Sequence, residues 1–138
     1  MTNRAAILIC NGLQDKIVLQ KELDLIDRYA ITVHSFLDST YPELLKHIHS
    51  PPLVLYSKGA PLNNKAKRIA VVGSRKSDKY AKTCIEKLLP ALIAENWEII
   101  SGGAIGVDSM AHREALCQEG KTIAVFGSGL LCPYPREN

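Results

Sequence analysis

The 138-residue sequence predicts an α/β protein: a three-layer, Rossmann-like parallel sheet of βαβαβ order, incomplete at three strands, with an N-terminal α/β extension. Three observations predict it. Short apolar, β-branched runs, RIAVV at 68–72, EIIS at 98–101 and TIAVF at 122–126, suit buried parallel strands. Segments of helical periodicity lie between them, and each run is followed directly by glycine. Strands alternating with helices through short glycine turns imply right-handed crossovers, and these in turn imply a parallel sheet.

In chain order, a strand is expected over Ala5–Cys10, a helix over Val18–Tyr29 and a short helix over Pro42–Ile48. After Ser50-Pro51-Pro52, the run Leu53–Tyr56 (LVLY) reads as an extended segment that joins the sheet. Beyond the strand at Arg68–Val72, Ser77 or Asp78 can cap a helix whose apolar positions are Ala81, Cys84, Ile85, Leu88 and Leu92, ending at a left-handed Asn96. Pro90 cannot donate to the carbonyl of Glu86, which predicts a kink or break near Leu89. The second helix is expected over Val107–Glu119, stopped by Gly120.

Composition narrows the classes. The longest apolar run, Leu88–Ala94, contains a proline and falls far short of the roughly 20 residues needed to span a bilayer. Residues 1–15 lack the pattern of a secretory signal, so a cytoplasmic location and no membrane partner are expected. Cys10, Cys84, Cys117 and Cys132 form no C-x-x-C pair; they are expected as buried, reduced thiols, with no metal site. The net charge of +3 conceals an asymmetry: Lys58–Lys87 holds nine Lys or Arg against Asp78 and Glu86, a single-sign segment that would attract a polyanion.

Ligands of open parallel sheets bind outside the carboxyl ends of the strands. Three glycine-bearing loops fall there: Gly73-Ser74-Arg75, Gly102–Gly106 and Gly127-Ser128-Gly129. The middle loop, Ser101-Gly102-Gly103-Ala104-Ile105-Gly106, approaches a dinucleotide fingerprint but has Ser101 in place of the first glycine. It also lacks the ribose-binding acid about 20 residues on, so no nicotinamide or flavin cofactor is expected. Unpaired amides at Gly103–Val107, backed by the positive end of the next helix, favour a phosphate. Arg75 adds a planar fork able to grip a phosphate through two bonds, and Lys76, Lys79 and Lys82 add longer-range attraction. Asp108 and His112, four apart on one helix, read either as an acid–base pair or as a tie between helix and loop. No Ser or Cys nucleophile is marked out beside them, so no catalysis is expected, and Asp108 should bond loop amides.

Four blocks, YPELLKHIHSPPLVLYSKG (Tyr41–Gly59), IAVVGSR (Ile69–Arg75), SGGAIGVDSMAH (Ser101–His112) and TIAVFGSGLLCPYPREN (Thr122–Asn138), resemble the DNA-processing protein A family (DprA/Smf) in order and spacing over residues 41–138. The resemblance implies a bacterial cytoplasmic, non-enzymatic protein that binds single-stranded DNA, acts in natural transformation and DNA recombination, and helps load a RecA-type recombinase. Carried over by motif, Gly73, Ser74 and Arg75 correspond to the family's phosphate-gripping loop, followed by Lys76. Ser101, Gly102, Gly103, Ala104 and Gly106 lie beside it, with Asp108, His112, Gly127 and Gly129 in support.

The chain departs from the family at Ala81, where a glycine is usual, at Pro90, and at Gly103, where leucine is common. Family members also continue past Asn138 into strands that complete the sheet, so the chain reads as truncated after the first half of that domain, with residues 1–40 an extension of unassigned role. The open sheet edge is expected to be covered by self-association, as a homodimer, or by the N-terminal strands. The alternative reading is a nucleoside-monophosphate enzyme like the Lonely Guy-type phosphoribohydrolases, which share a similar glycine loop; their later P-G-G-x-G-T block is absent here.

Overall fold

A computed structural model describes Gly12 and residues 16–134. The chain divides into two compact units, Met1–Leu62 and Asn63–Asn138. The strand expected over Ala5–Cys10 lies outside the described residues.

In the first unit, helix α1 (Lys16–Arg28) precedes strand β1 (Thr32–Ser35), a 3-10 turn (Glu43–His47) and strand β2 (Val54–Ser57). β1 and β2 pair antiparallel, from Thr32 opposite Ser57 to Ser35 opposite Val54. The LVLY run therefore builds a separate two-stranded sheet and does not join the parallel one. Its partner β1 went unread in the sequence, although Ile31, Thr32 and Val33 are β-branched neighbours of the kind strands favour. A buried histidine ties the two strands: His34 reaches Thr40 Oγ1 at 3.0 Å through Nδ1 and Ser57 Oγ at 2.8 Å through Nε2. Tyr41, fully buried, stacks obliquely on Phe36 at 5.6 Å and donates its hydroxyl to Pro52 O at 2.7 Å. The boundary expected at residue 40 falls inside this unit.

The second unit follows the expected alternation: β3 (Arg68–Ala70), α2 (Lys79–Ala94), β4 (Glu98–Ser101), α3 (Val107–Cys117) and β5 (Thr122–Ala124). The strands are parallel in the order β3-β4-β5, with Ile69 beside Ile99 and Ile100 beside Ile123. Ile99, fully buried on the central strand, packs with Ile85 and Leu89 of α2 and with Ala111 and Ala115 of α3. Both helices therefore lie on one face of the sheet, and the small side chains of α3 let them approach. On alternating positions that point the other way, Val72 and Val125 remain exposed, so the described residues supply the sheet and one helical layer. Across the amino ends of the strands, Arg68 Nε bonds Glu98 Oε2 at 2.9 Å, a largely buried pair. No described helix is long and apolar enough to cross a membrane.

Helix α2 starts as read, with Asp78 Oδ1 accepting from the Ala81 amide at 2.9 Å, and Asn96 after it is left-handed at φ 60°. Of the kink or break expected near Leu89, the break is not observed: α2 runs through Pro90. Proline removes one amide bond, and Leu89 and Ile93 on either side are anchored to the core, holding the helix across the gap. The thiols also differ from expectation, since Cys117 and Cys132 are exposed and Cys84 is half-buried.

At the end of α3 the left-handed residue is Glu119, at φ 54°, and not Gly120. Gly120 instead serves close packing: its amide donates to Ala115 O at 2.8 Å, and a Cβ there would lie 2.6 Å from Ile93 Cγ2. Ile93 is β-branched and cannot swing that methyl aside. Gly120→Ala should therefore destabilise the domain by about 1–3 kcal/mol in chemical denaturation. Gly127→Ala, with nothing within 4 Å of the added carbon, should change stability by less than about 0.5 kcal/mol.

Candidate nucleic-acid interface

The three glycine loops meet at the carboxyl ends of β3, β4 and β5 through contacts that only glycine permits. A Cβ on Gly106 would sit 2.3 Å from Ser74 O and 2.8 Å from Arg75 Cα, and Gly106 has φ 98° and ψ −129°, a conformation that L side chains rarely adopt. The backbone of the Ser74-Arg75 turn thus rests directly on the middle loop. Val107 N donates to Ser74 O at 3.2 Å, and the Val107 side chain occupies the space where a Gly73 Cβ would be, 2.7 Å away. From the third loop, the ring of Phe126 lies against Gly103, 2.5 Å from its missing Cβ. Phe126 is the residue whose part in the site was missed in the sequence, and for Val107 only the amide was read; the signal for Phe126 was an aromatic at the end of a strand that opens a glycine turn.

Several of the expected phosphate ligands are engaged within the loop. The amides of Gly103–Val107 were expected to be unpaired, yet Ala104 N donates to Asp108 Oδ2 at 3.3 Å and Val107 N to Ser74 O. Gly103 is buried and also has a partner. Ile105 and Gly106 keep amides for which no acceptor stands in place among the described residues. Ser101 is buried, and its hydroxyl donates to Val71 O at 2.6 Å, stitching β4 to β3 and leaving it no reach to the rim. Ser74 Oγ holds the Arg75 turn closed, accepting from Lys76 N and facing Lys76 O, both at 3.1 Å.

Asp108, buried in the first turn of α3, folds its carboxylate back onto the loop, so the positive helix end is already partly compensated by an internal acid. His112 does not hydrogen-bond to it. Thr122 Oγ1 donates its only proton to Ile99 O at 2.9 Å and therefore accepts from His112 Nδ1–H at 2.6 Å. That leaves His112 Nε2 buried and without a partner. Burial pushes the imidazole pKa below its ordinary 6.5, against a smaller upward pull from Asp108. The pair expected as an acid–base couple or a helix-to-loop tie is two separate structural ties, Asp108 to the loop and α3 to β4 and β5 through His112 and Thr122.

What remains open to solvent on this rim is cationic. Gly73, Ser74, Arg75 and Lys76 are exposed, as are Gly102 and Gly127-Ser128-Gly129. Among the described residues no carboxylate pairs with Arg75, Lys76 or Lys79, whereas Lys82 reaches Glu86 at 3.5 Å. The basic segment read as one patch is divided by the strand it contains. Lys65, Lys67 and Arg68 lie at the amino end of β3, where Arg68 is paired with Glu98 and Lys67 covers Trp97 at 6.0 Å, while Arg75, Lys76 and Lys79 follow its carboxyl end. Lys58 belongs to the first unit. Among the described residues, no group of three or more His, Cys, Asp or Glu side chains gathers as metal ligands would.

Residues 32–138 match the family described as DNA recombination-mediator protein A. The chain belongs to that family. It is 43% identical over 104 residues to the DNA processing protein DprA of Streptococcus pneumoniae and 39% identical over 99 residues to that of Bacillus subtilis. These matches cover 75% and 71% of the chain, but only 36% and 33% of the two relatives. The crystal structure of Streptococcus pneumoniae DprA superposes with a TM-score of 0.82 at 37% identity, covering the whole of this chain and 47% of that one. A Helicobacter pylori DNA processing protein A, solved for its single-stranded DNA binding mode, matches with a TM-score of 0.66 at 27% identity, over 79% of this chain and 48% of that one. The chain thus spans a third or so of the curated relatives' length and about half of the solved chains.

Two measurements check the geometry. Gly106→Ala forces a strained backbone and a backbone clash at once and should cost more than about 3 kcal/mol of stability in urea denaturation. His112 is kept neutral by burial in the fold, so the unfolded chain binds its proton more readily. Its contribution is intact above pH 6.5 and declines as the pH falls through that value. His112→Gln should flatten the loss of stability between about pH 7 and pH 5 relative to the unaltered chain; an unchanged slope contradicts the assignment.

Proposed function

We propose that this chain binds single-stranded DNA without sequence preference along the rim formed by its three glycine loops. Arg75 grips a phosphate through its guanidinium, Lys76 and Lys79 draw the strand in, and the amide of exposed Ile105 contacts a further phosphate. Gly102, Gly127 and Gly129 keep the loops low enough for the backbone to approach. The single observation that carries the reading is an exposed Arg75 with no carboxylate partner among the described residues, on a turn seated against Gly106. A cation so placed is desolvated cheaply by a phosphate and gives a bidentate contact that lysine cannot. The Helicobacter pylori relative, described by its single-stranded DNA binding mode, supports the same substrate class.

The reading extends, by family, to a cytoplasmic role in natural transformation and recombination, with a RecA-type recombinase and a second copy of the chain as partners. It assigns no catalytic role and no cofactor. The phosphoribohydrolase alternative needs Asp108 and His112 to act together, and the bonds of both side chains to Ala104 and Thr122 argue against it.

Fluorescence anisotropy with unrelated oligonucleotides of equal length tests the proposal. Arg75 presents its backbone, not its side chain, to Gly106, so Arg75→Ala should fold normally, weaken binding of every single-stranded sequence alike and reduce the salt slope by about 0.7 per lost phosphate contact. Unchanged affinity and slope would remove Arg75 as a phosphate ligand.

A further inference from the structure

Phosphate contacts alone leave the bases of a bound strand in water, and the aromatic ring nearest the loops, that of Phe126, is wedged against Gly103. We propose that Tyr80 is the base-stacking platform of this face. The inference rests on the rim being a single-strand interface and adds to it the group that meets the nucleobases.

Tyr80 stands in the first turn of α2, the helix that leaves the Arg75 turn, two residues past the cap Asp78. It therefore sits at the same end of the unit as the phosphate-binding groups. Its side chain is 76% exposed, although a large aromatic on a packed helix ordinarily contributes to the core. It lies one turn before Cys84 on the same helix face, and neither residue belongs to the core cluster beneath α2. Among the described residues, the ring takes part in no aromatic pair and no cation–π contact, unlike Phe36, Tyr41, Tyr29 and Trp97.

Lys76, Lys79 and Lys82 lie within four residues on either side. An open aromatic face among cations is the combination that tracks a single strand: the cations follow the backbone while the ring accepts any base. An aromatic that only stabilised the helix would have its face covered. Leu88, 64% exposed and two turns further along, extends the same stripe and defines the competing occupant, an apolar protein surface.

The full chain is titrated with a fluorescent oligothymidylate and with a matched abasic strand that retains every phosphate, in parallel with sedimentation. Tyr80→Ala and Tyr80→Leu should each weaken oligothymidylate binding about fivefold or more and leave abasic binding unchanged, because the loss is one of stacking. Tyr80→Phe should bind both strands like the unaltered chain. Arg75→Ala serves as the marker of the underlying interface and should weaken both strands. Unaltered oligothymidylate affinity in Tyr80→Ala and Tyr80→Leu, or equal losses on both strands, overturns the stacking role while leaving the phosphate rim standing. A changed sedimentation coefficient with unchanged DNA affinity assigns the ring to a protein contact and overturns it as well. An unaltered chain that binds neither strand overturns the interface and the platform together.

Discussion

The rim depends on the absence of one carbon atom. Without a side chain on Gly106, the carbonyl of Ser74 and the Cα of Arg75 can occupy space that any other residue would fill. The remaining loop contacts are arranged around that approach. Val107 reaches Ser74 with its amide and fills the space beside Gly73 with its side chain, and the third loop closes on Gly103 through Phe126. Three connections distant in sequence become one surface, held by backbone approach at Gly106 and by the inward side chains of Val107 and Phe126, which leaves the exposed side chains on it to meet a ligand.

This arrangement changes where the positive potential comes from. A glycine loop before a helix is commonly an anion cradle, with its amides and the helix dipole acting together. Here Asp108 turns its carboxylate onto Ala104 N, and Ser74 takes the amide of Val107, so much of that potential is balanced inside the protein. The cations after β3 become the larger source. They are side chains at a surface, so their attraction is salt-sensitive and indifferent to base identity, as the proposed binding of single strands without sequence preference requires.

Much of the second unit was legible because its signals are local. RIAVV, EIIS and TIAVF are strands because β-branched runs of that length, each closed by glycine, have few other uses, and Asp78 and Asn96 bracket α2 by capping chemistry. The failures share a cause in tertiary packing. Pro90 is carried within α2 by core contacts on either side, and Gly120 is required by Ile93 from another helix, while the strained turn falls to Glu119. Sequence reasoning picked out the glycines of the candidate site as amide donors, whereas Gly103 and Gly106 allow the close approach of Phe126 and of the Ser74-Arg75 turn. Lys65, Lys67 and Arg68 are near neighbours of Arg75 in sequence and lie at the opposite end of a strand, a separation that charge counting cannot register. In the first unit, β2 read as a strand but its partner β1 did not, because pairing is decided by a buried histidine and a tyrosine whose contacts are distant in sequence.

The central claim is that a nucleic-acid backbone lies across the three loops at once. Amide chemical-shift mapping during titration with a short oligothymidylate tests it most directly, because it reports each loop separately. The expected result is that perturbations concentrate at Gly73–Lys76, at Ile105 and Gly106, and at Gly127–Gly129, and recede as salt is raised. Perturbations confined to the amino ends of the strands, around Lys65–Arg68 and Lys121, with the glycine loops silent, would contradict it.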